Sequence, residues 1–336
     1  MVKARKIVLA RDFQGEPRAE DFRVEEEDLP PVKDGQILAE AVYFSVDPFQ
    51  RGNRAAHKVG DTMVAAQVAR IVESRAAGFP VGRHVVGYWG WRDRTVADVG
   101  PNAEFPIHMS PPMLAPDLGD LPVSLSLGVL GMPGISGYFP LLDVLKPKAG
   151  EVVVVSGAAG AVGSIVGQIA LIKGCTVIGF AGSDAKVKWL KDDLGFHHAF
   201  NYKTTDVSTA LKQAAPDGVD VYFDNVGGDM STKIINNMRY RGRIASIGGI
   251  SQYNESEIQK LVTLPFSFLA NQLRIEGCAY SRWHDRWDEG ISQLMQWVRE
   301  GKLKYRETVT DGFHNTPKAF IGMLRGENFG KAVVKL

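Results

Sequence analysis

Three short stretches carry residue types that chemistry uses. The first is Ala158-Ala159-Gly160-Ala161-Val162-Gly163. It follows the apolar run Val152 to Ser156 and opens a second run at helical spacing, Ile165, Val166, Ile169, Ala170 and Ile172. This is a G-x-G-x-x-G pattern with alanine in its first position. Strand, glycine turn and helix in that order cradle the pyrophosphate of a dinucleotide, because glycine lets the backbone approach and the helix N-terminus offers free N–H groups and partial positive charge. A strand–turn–helix unit without a ligand has the same outline, so the pattern alone leaves both readings open. The second stretch is Ala181-Gly182-Ser183, which ends the next apolar run. A dinucleotide site selective for NAD places Asp or Glu there, roughly 20 residues past the glycines. That acid is missing, and Lys186 stands one helical turn further on. A lysine attracts the 2′-phosphate that a carboxylate would repel, which favours NADPH over NADH. Lys186 also reads as a solvated helix charge, and Ser183 and Asp184 as helix-capping residues. The third stretch, Asp224-Asn225-Val226-Gly227-Gly228, closes a further apolar run. Asn225 offers a donor and an acceptor, which suits a ribose or a nicotinamide amide, or an ordinary turn.

Other chemistries are excluded or disfavoured. Cys175 and Cys278 are the only cysteines, far apart and in apolar runs, so a four-cysteine zinc site and a disulfide framework are ruled out. Both read as small buried hydrophobes. His57, His84, His108, His197, His198, His284 and His314 form no H-E-x-x-H and no pairing with cysteine at ligand spacing, so no metal site is expected. No G-x-S-x-G elbow is present, and neither Tyr138 nor Tyr202 has a lysine four residues on. Without a metal or that tyrosine–lysine pair, simple alcohol–ketone interconversion is disfavoured. Hydride addition to a conjugated C=C needs less help. The developing negative charge spreads onto the carbonyl oxygen, where one hydroxyl donor can stabilise it.

The elements that must position these residues follow from period and punctuation. The chain has 336 residues, 45% of them hydrophobic, with a net charge of +1, which suits a globular protein of two domains. The balanced charge and the lack of a basic run speak against nucleic acid as a partner. No apolar run reaches the ~18 residues of a membrane span. The N-terminal apolar run is too short for a signal peptide, so a cytoplasmic location is expected. Residues 1 to 120 show strand-like runs, Lys6 to Ala10, Gln36 to Val46, Met63 to Glu73 and His84 to Trp91, separated by turn chemistry at 27–31, 34–35, 60–61, 78–80 and 100–101. This predicts a β-rich, barrel-like lobe. Leu121 to Lys146 reads as short glycine-containing helices. From Glu151 the pattern alternates. Strands are predicted at 152–156, 175–180, 199–201, 219–224, 243–247 and 273–279, with helices at 160–173, 184–194, 206–214, 228–238 and 288–300. Six parallel strands with helical crossovers make an α/β doubly wound sheet. The tail from Lys302 reads as strand, helix, strand, folding back onto the first lobe.

These residues resemble a known family. GAAGAVGSIVGQIA, FAGSDAKVKWL, DNVGG, GRIASIGGISQYN and GENFGKAVVK, together with SVDPFQR, KVGDTMVAAQVARIVESR and LGVLGMPGISGY, are similar to the zinc-independent medium-chain dehydrogenase/reductases. Within these the likeness is to the prostaglandin reductase 1 (leukotriene B4 12-hydroxydehydrogenase) family of NADP-dependent alkenal/one oxidoreductases, and it runs over nearly the whole chain. The resemblance implies a GroES-like β-rich catalytic domain, residues 1–125 completed by 302–336, and a Rossmann NADPH-binding domain, 126–301, with the active cleft between them.

It also implies roles. Ala158, Ala159, Gly160, Ala161, Val162 and Gly163 would hold the pyrophosphate. Lys186 and Tyr202, with Ser183, would hold the 2′-phosphate and adenosine end, and Asn225 the nicotinamide side. Gly248, Gly249, Ile250, Ser251 and Tyr253, then Cys278, Ala279 and Tyr280, would wrap the cofactor, and Asn328 would reach it from the other lobe. The Tyr253 hydroxyl would meet the substrate carbonyl and stabilise the enolate, or the ring would only line the pocket. The implied activity is NADPH-dependent reduction of the conjugated C=C of α,β-unsaturated ketones and aldehydes, including keto-prostaglandin-like substrates, with dehydrogenation of leukotriene B4 at its 12-hydroxyl as a side activity. A homodimer through the strand at 273–279 is implied as well. Two departures bear on substrate range. Phe49 stands where the family has tyrosine, and the segment Asn254 to Gln272 holds a single proline, Pro265. Metal-free NADPH quinone reduction and NADPH binding without turnover are the rival readings.

Overall fold

Charge pairing decides the first element pair, which hydrophobic period does not reveal. In the computed structural model, which describes residues 2–52, 58–99, 111–255 and 266–336, β1 (Val2–Leu9) runs antiparallel to β2 (Phe22–Leu29). Arg5 lies opposite Glu26 and Lys6 opposite Glu25, and the Lys6 ammonium is 3.2 Å from Glu27. Opposite charges across a ladder let the acidic FRVEEEDL segment form a strand. The turn expected at 27–31 therefore starts later, after Leu29. Next come β3 (Gln36–Ser45), α1 (Phe49–Gly52), β4 (Gln67–Ser74), β5 (His84–Gly87), β6 (Arg94–Asp98) and β7 (Met113–Leu114). The run expected as one strand over 84–91 ends at Gly87. Gly90 takes φ 83°, and Trp91 turns its N–H to the Met63 carbonyl. His57, His108, Pro265 and the Gly100-Pro101 turn lie outside the described residues.

The chain divides into two compact units, Met1–Gly128 with Glu307–Leu336, and Val129–Arg306. The second unit opens with α2 (Met132–Phe139), which passes into a wider π-type turn at Pro140–Leu145. Alternation follows: β8 (Val152–Val155), α3 (Gly163–Ile172), β9 (Thr176–Ala181), α4 (Asp184–Lys188), β10 (His198–Asn201), α5 (Val207–Ala214), β11 (Val219–Asp224), α6 (Gly228–Ile235), β12 (Met238–Ser246), α7 (Phe266–Ala270), β13 (Arg274–Gly277) and α8 (Trp287–Arg299). The six strands are parallel, in the order β10-β9-β8-β11-β12-β13. Ile178, Val154, Tyr222 and Ile244 stand level across four strands and share one buried cluster with Val207, Leu211 and Ile234 of α5 and α6. The order reverses between β8 and β11, and that switch point opens a crevice at the carboxyl ends of the strands.

Two predicted helices are shorter than their patterns. The run 184–194 is α-helical only to Lys188. Beyond it the Leu194 N–H reaches back five residues to the Trp189 carbonyl at 3.2 Å, and the wider turn buries both Trp189 and Leu190. The run 228–238 stops at Ile235 because the Asn237 carbonyl accepts from Val219 N–H, 3.0 Å away, and Met238 already belongs to β12.

The C-terminal segment completes the first unit with β14 (Glu307–Asp311), α9 (Thr316–Leu324) and β15 (Lys331–Lys335). The larger sheet of this unit runs β14-β15-β3-β4-β5-β7, with β6 also on β3. Phe22, Phe44, Trp91, Phe313 and Phe320 fill its core. A buried ion pair pins β15. The Lys331 ammonium donates to Asp47 at 2.9 Å and to the Val46 carbonyl at 2.7 Å, with both side chains 5% exposed or less. No helix among the described residues is long and apolar enough to cross a membrane.

Helix α3 lies so close to its neighbours that glycine is required within it. A Cβ at Gly167 would fall 1.9 Å from the Phe196 ring, whereas one at Gly277 meets nothing within 4 Å. Gly167→Ala should lower the unfolding free energy by about 1–3 kcal/mol in urea denaturation, and Gly277→Ala should change it by less than about 0.5 kcal/mol.

Candidate functional site

The turn after β8 is built on close backbone approach. Gly157 takes φ 60° and its carbonyl accepts from Gly160 N–H at 3.0 Å. A Cβ at Gly163 would lie 2.4 Å from that carbonyl oxygen and 2.8 Å from the Ala158 Cα, so only glycine fits where α3 begins. Ala158 is fully buried and donates its N–H to the Phe180 carbonyl at 2.9 Å. The left-handed residue of the turn is therefore Gly157, one place before the alanine that interrupts the glycine pattern. Gly160, Ala161 and Val162 are half-buried, and no side chain caps α3. Ser164 and Ile165 N–H donate at 3.1 Å to the Gly160 and Val162 carbonyls, so backbone closes the first turn of α3 and its positive dipole end lies at the glycine turn.

At the carboxyl ends of β9 and β10 the structure brings Ser183, Lys186 and Tyr202 together. Ser183 caps α4, its hydroxyl accepting from Lys186 N–H at 3.3 Å. Asp184 is turned aside, its carboxylate accepting from the Asn201 side-chain amide at 2.8 Å. The Tyr202 hydroxyl packs on Gly182, where a Cβ would come within 2.9 Å of it. Lys186 is 9% exposed, and burial first, then the positive charge of Lys203, lowers its pKa from the ordinary lysine value. An anion bound here would offset both effects. Lys203 carries no sequence signal as a site residue; it enters because the chain turns back at Asn201, whose side-chain carbonyl accepts from Lys203 N–H at 3.1 Å.

On the other side of the switch point a buried network holds the end of β11. Asp224 accepts from the Tyr222 hydroxyl (2.8 Å), the Ser231 hydroxyl (2.6 Å), Val226 N–H (3.0 Å), Gly227 N–H (2.9 Å) and the Ser156 hydroxyl (3.2 Å). Burial, then the Asp224 charge, pushes the Tyr222 phenol well above its ordinary value, so it stays a donor. Asn225 is tied to β8, its backbone N–H donating to the Ser156 hydroxyl at 3.0 Å and its side-chain amide to the Ser156 carbonyl at 2.8 Å. Sequence reading singled out Asn225 but not its anchor Ser156, which comes from the end of another strand, β8.

The segment 248–253 folds onto this strand end. Gly248 N–H donates to the Asp224 carbonyl at 3.3 Å, and the Ser251 hydroxyl to the Val226 carbonyl at 2.7 Å. Ile250 and Gly249 lie in the same turn, where the Tyr253 phenol oxygen accepts from Gly249 N–H at 3.4 Å. Tyr253 is half-buried. Past β13, Cys278 donates its N–H to the Ser246 carbonyl at 3.0 Å; burial pushes its thiol up to about 11, as it does that of Cys175. Ala279 is exposed, and the half-buried Tyr280 ring sits 5.9 Å from that of Trp287. Every candidate residue but Asn328 thus stands at the carboxyl end of the parallel sheet. Asn328 belongs to the first unit, between α9 and β15, its side-chain amide donating to the Gly330 carbonyl at 2.8 Å. Among the described residues no group of three or more His, Cys, Asp or Glu side chains could hold a metal ion.

Comparison with known proteins agrees with this architecture. Family models described as "N-terminal domain of oxidoreductase" and "Zinc-binding dehydrogenase" match residues 5–103 and 161–297. Prostaglandin reductase 1 of Bos taurus is 47% identical over 337 residues, covering 100% of both chains. The NADP(+)-dependent 2-alkenal reductase of Nicotiana tabacum is 34% identical, covering 99% of this chain and 97% of its own. Among solved structures, CurA from Vibrio vulnificus in complex with NADPH superposes with a TM-score of 0.89 at 36% identity, covering 98% of each chain. A β-rich unit and a doubly wound parallel sheet with a glycine turn at its switch point define a medium-chain dehydrogenase/reductase. The chain belongs to that oxidoreductase family, in the branch that holds prostaglandin reductase 1 and the alkenal reductases.

Proposed function

We propose that this enzyme reduces the conjugated C=C of α,β-unsaturated ketones and aldehydes with NADPH. The observation that carries the reading is the pair of opposed environments along one sheet edge. A buried lysine stands at an acid-free strand end on one side of the glycine turn, and a tyrosine hydroxyl on the other. Full-length likeness to a prostaglandin reductase and to an alkenal reductase supports the substrate class.

The residues fit the cofactor. The start of α3, with its partial positive charge, and the closely packed turn Ala158 to Gly163 would receive a pyrophosphate. Lys186, with Ser183 and Tyr202, would hold the 2′-phosphate and adenosine end. Asn225, the turn Gly248 to Ser251 and the strand end Cys278 to Tyr280 would surround the remainder. When bound, NADPH supplies a hydride, two electrons with one proton, to the β-carbon and leaves as NADP+. The Tyr253 hydroxyl donates to the substrate carbonyl oxygen, and more strongly to the enolate oxygen as negative charge gathers there. Gly249 N–H, donating to the same phenol oxygen, orients it and strengthens it as a donor. A solvent proton completes the α-carbon. Phe49 carries no hydroxyl, and the polarising role is assigned to Tyr253. Dehydrogenation of leukotriene B4 at its 12-hydroxyl is the finer activity that the family resemblance adds; it would set an alcohol oxygen against the same tyrosine.

We also propose a homodimer. β13 is an edge strand, paired with β12 and no other strand among the described residues, and its Ile275 is exposed, as are Phe266 and Leu269 of α7 beside it in sequence. Pairing with a second copy would satisfy that edge.

Lys186→Ala should weaken NADPH by about 1–3 kcal/mol, the worth of a charge-assisted hydrogen bond, while NADH affinity stays nearly constant. Equal losses in fluorescence titrations would remove the 2′-phosphate assignment. Tyr253→Phe should lower kcat for an enone on the order of 10²-fold with NADPH affinity retained; unchanged turnover would remove Tyr253 from the reaction. Light scattering at micromolar concentration should give twice the chain mass, and a monomer mass would defeat the edge-pairing model.

A further inference from the structure

The Asp224 carboxylate has an unusual set of partners. It is 5% exposed, and all five groups bonded to it are donors: two backbone N–H groups and three hydroxyls. None is cationic, and no ion pair with Asp224 is made among the described residues. A carboxylate accepts only, whereas the amide of an asparagine would turn two N–H groups toward a donor set. The shell is therefore complementary to a full negative charge. Burying an uncompensated charge is costly, and an apolar or neutral residue could end a strand more cheaply. The fold spends donors from β8, β11, α6 and the turn after β11 to keep this anion in place.

Its position gives the charge a use. The residues that suit the adenosine end stand at β9 and β10, and the glycine turn follows β8. A dinucleotide laid across the switch point in that direction has its nicotinamide half toward β11 and β12. Asp224 is the last residue of β11, and its backbone carbonyl also anchors Gly248 at the end of β12. The nicotinamide ring is neutral in NADPH and positive in NADP+. We propose that Asp224 is an electrostatic determinant of cofactor redox state, a fixed buried anion that favours bound NADP+ over bound NADPH and so makes the bound cofactor a stronger hydride donor. This rests on the NADPH reading above. It adds a direction to it, since a site that stabilises the oxidised ring favours reduction of the substrate over alcohol oxidation.

The test is the ratio of two dissociation constants, Kd for NADP+ over Kd for NADPH, measured by titration without substrate. Coulomb attraction over ~10 Å at an effective dielectric of ~20 predicts that the ratio rises on the order of tenfold in Asp224→Asn. Asp224→Ser is the second neutral variant, since a serine hydroxyl can still accept from the Val226 and Gly227 N–H groups and keep the turn folded. It should show the same rise. Ser231→Ala removes one donor but leaves the charge, and its ratio should stay within twofold of the unaltered protein. Equal weakening of both cofactor forms in a folded neutral variant would overturn the proposal and leave Asp224 a hydrogen-bonding anchor. So would a rise in Ser231→Ala as large as that in Asp224→Asn. Failure of the unaltered protein to bind either form would instead overturn the NADPH reading itself.

Discussion

The candidate site depends on one tie, the hydrogen bonds that join the end of β8 to the end of β11 through Ser156 and Asp224. Parallel strands with a reversal between them leave a gap at their carboxyl ends, where no crossover passes. At that gap the Ser156 hydroxyl donates to Asp224 at 3.2 Å and accepts from Asn225 N–H at 3.0 Å, so both strand ends and the following turn share one frame. Gly157 and Asn225 leave this frame in different directions. One begins the glycine turn and the other the turn on which residues 248–253 rest. A disturbance at Asp224 would therefore reach both the glycine turn and the segment that carries Tyr253.

Along the crevice the local electrostatics change. At β9 and β10 burial first, and then the positive charge of Lys203, lowers the pKa of Lys186. At β11 a buried carboxylate sits in a shell of neutral donors. A molecule with a phosphate at one end and a ring that gains positive charge at the other is complementary to both. Selectivity for the cofactor, in this account, comes from charge placed on strand ends rather than from the glycine turn, which any dinucleotide would share.

Much of this could be read before any coordinates. The strands of the parallel sheet announce themselves as continuous apolar runs, VVVV in β8 and VDVYFD in β11, because both faces are covered. The glycine turn was legible because its spacing reports a backbone constraint, seen at Gly163 as a 2.4 Å approach to a carbonyl oxygen. What escaped depends on residues far apart in the chain. The Tyr222–Ser156 contact spans 66 positions and the Asn225–Ser156 contacts 69, so no local pattern encodes them. β2 escaped for another reason. Its FRVEEEDL sequence shows no apolar period, and its end reads as the turn at 27–31; Lys6 and Arg5 opposite its glutamates make it a strand. The π-type turn after Lys188 was hidden because Trp189 and Leu190 are adjacent apolar residues that fit a helical pattern equally well.

The central claim is that hydride goes to the β-carbon of the conjugated C=C, not to the carbonyl carbon or to a quinone. The most direct measurement uses NADPH deuterated at the transferable position of its nicotinamide, with a medium-chain enone, and locates the label in the product by NMR and mass spectrometry. The account predicts a saturated ketone carrying one deuterium at the β-carbon, with an unlabelled proton from water at the α-carbon. Deuterium on the hydroxyl-bearing carbon of an allylic alcohol, or turnover of a quinone with no saturated ketone from the enone, would contradict it.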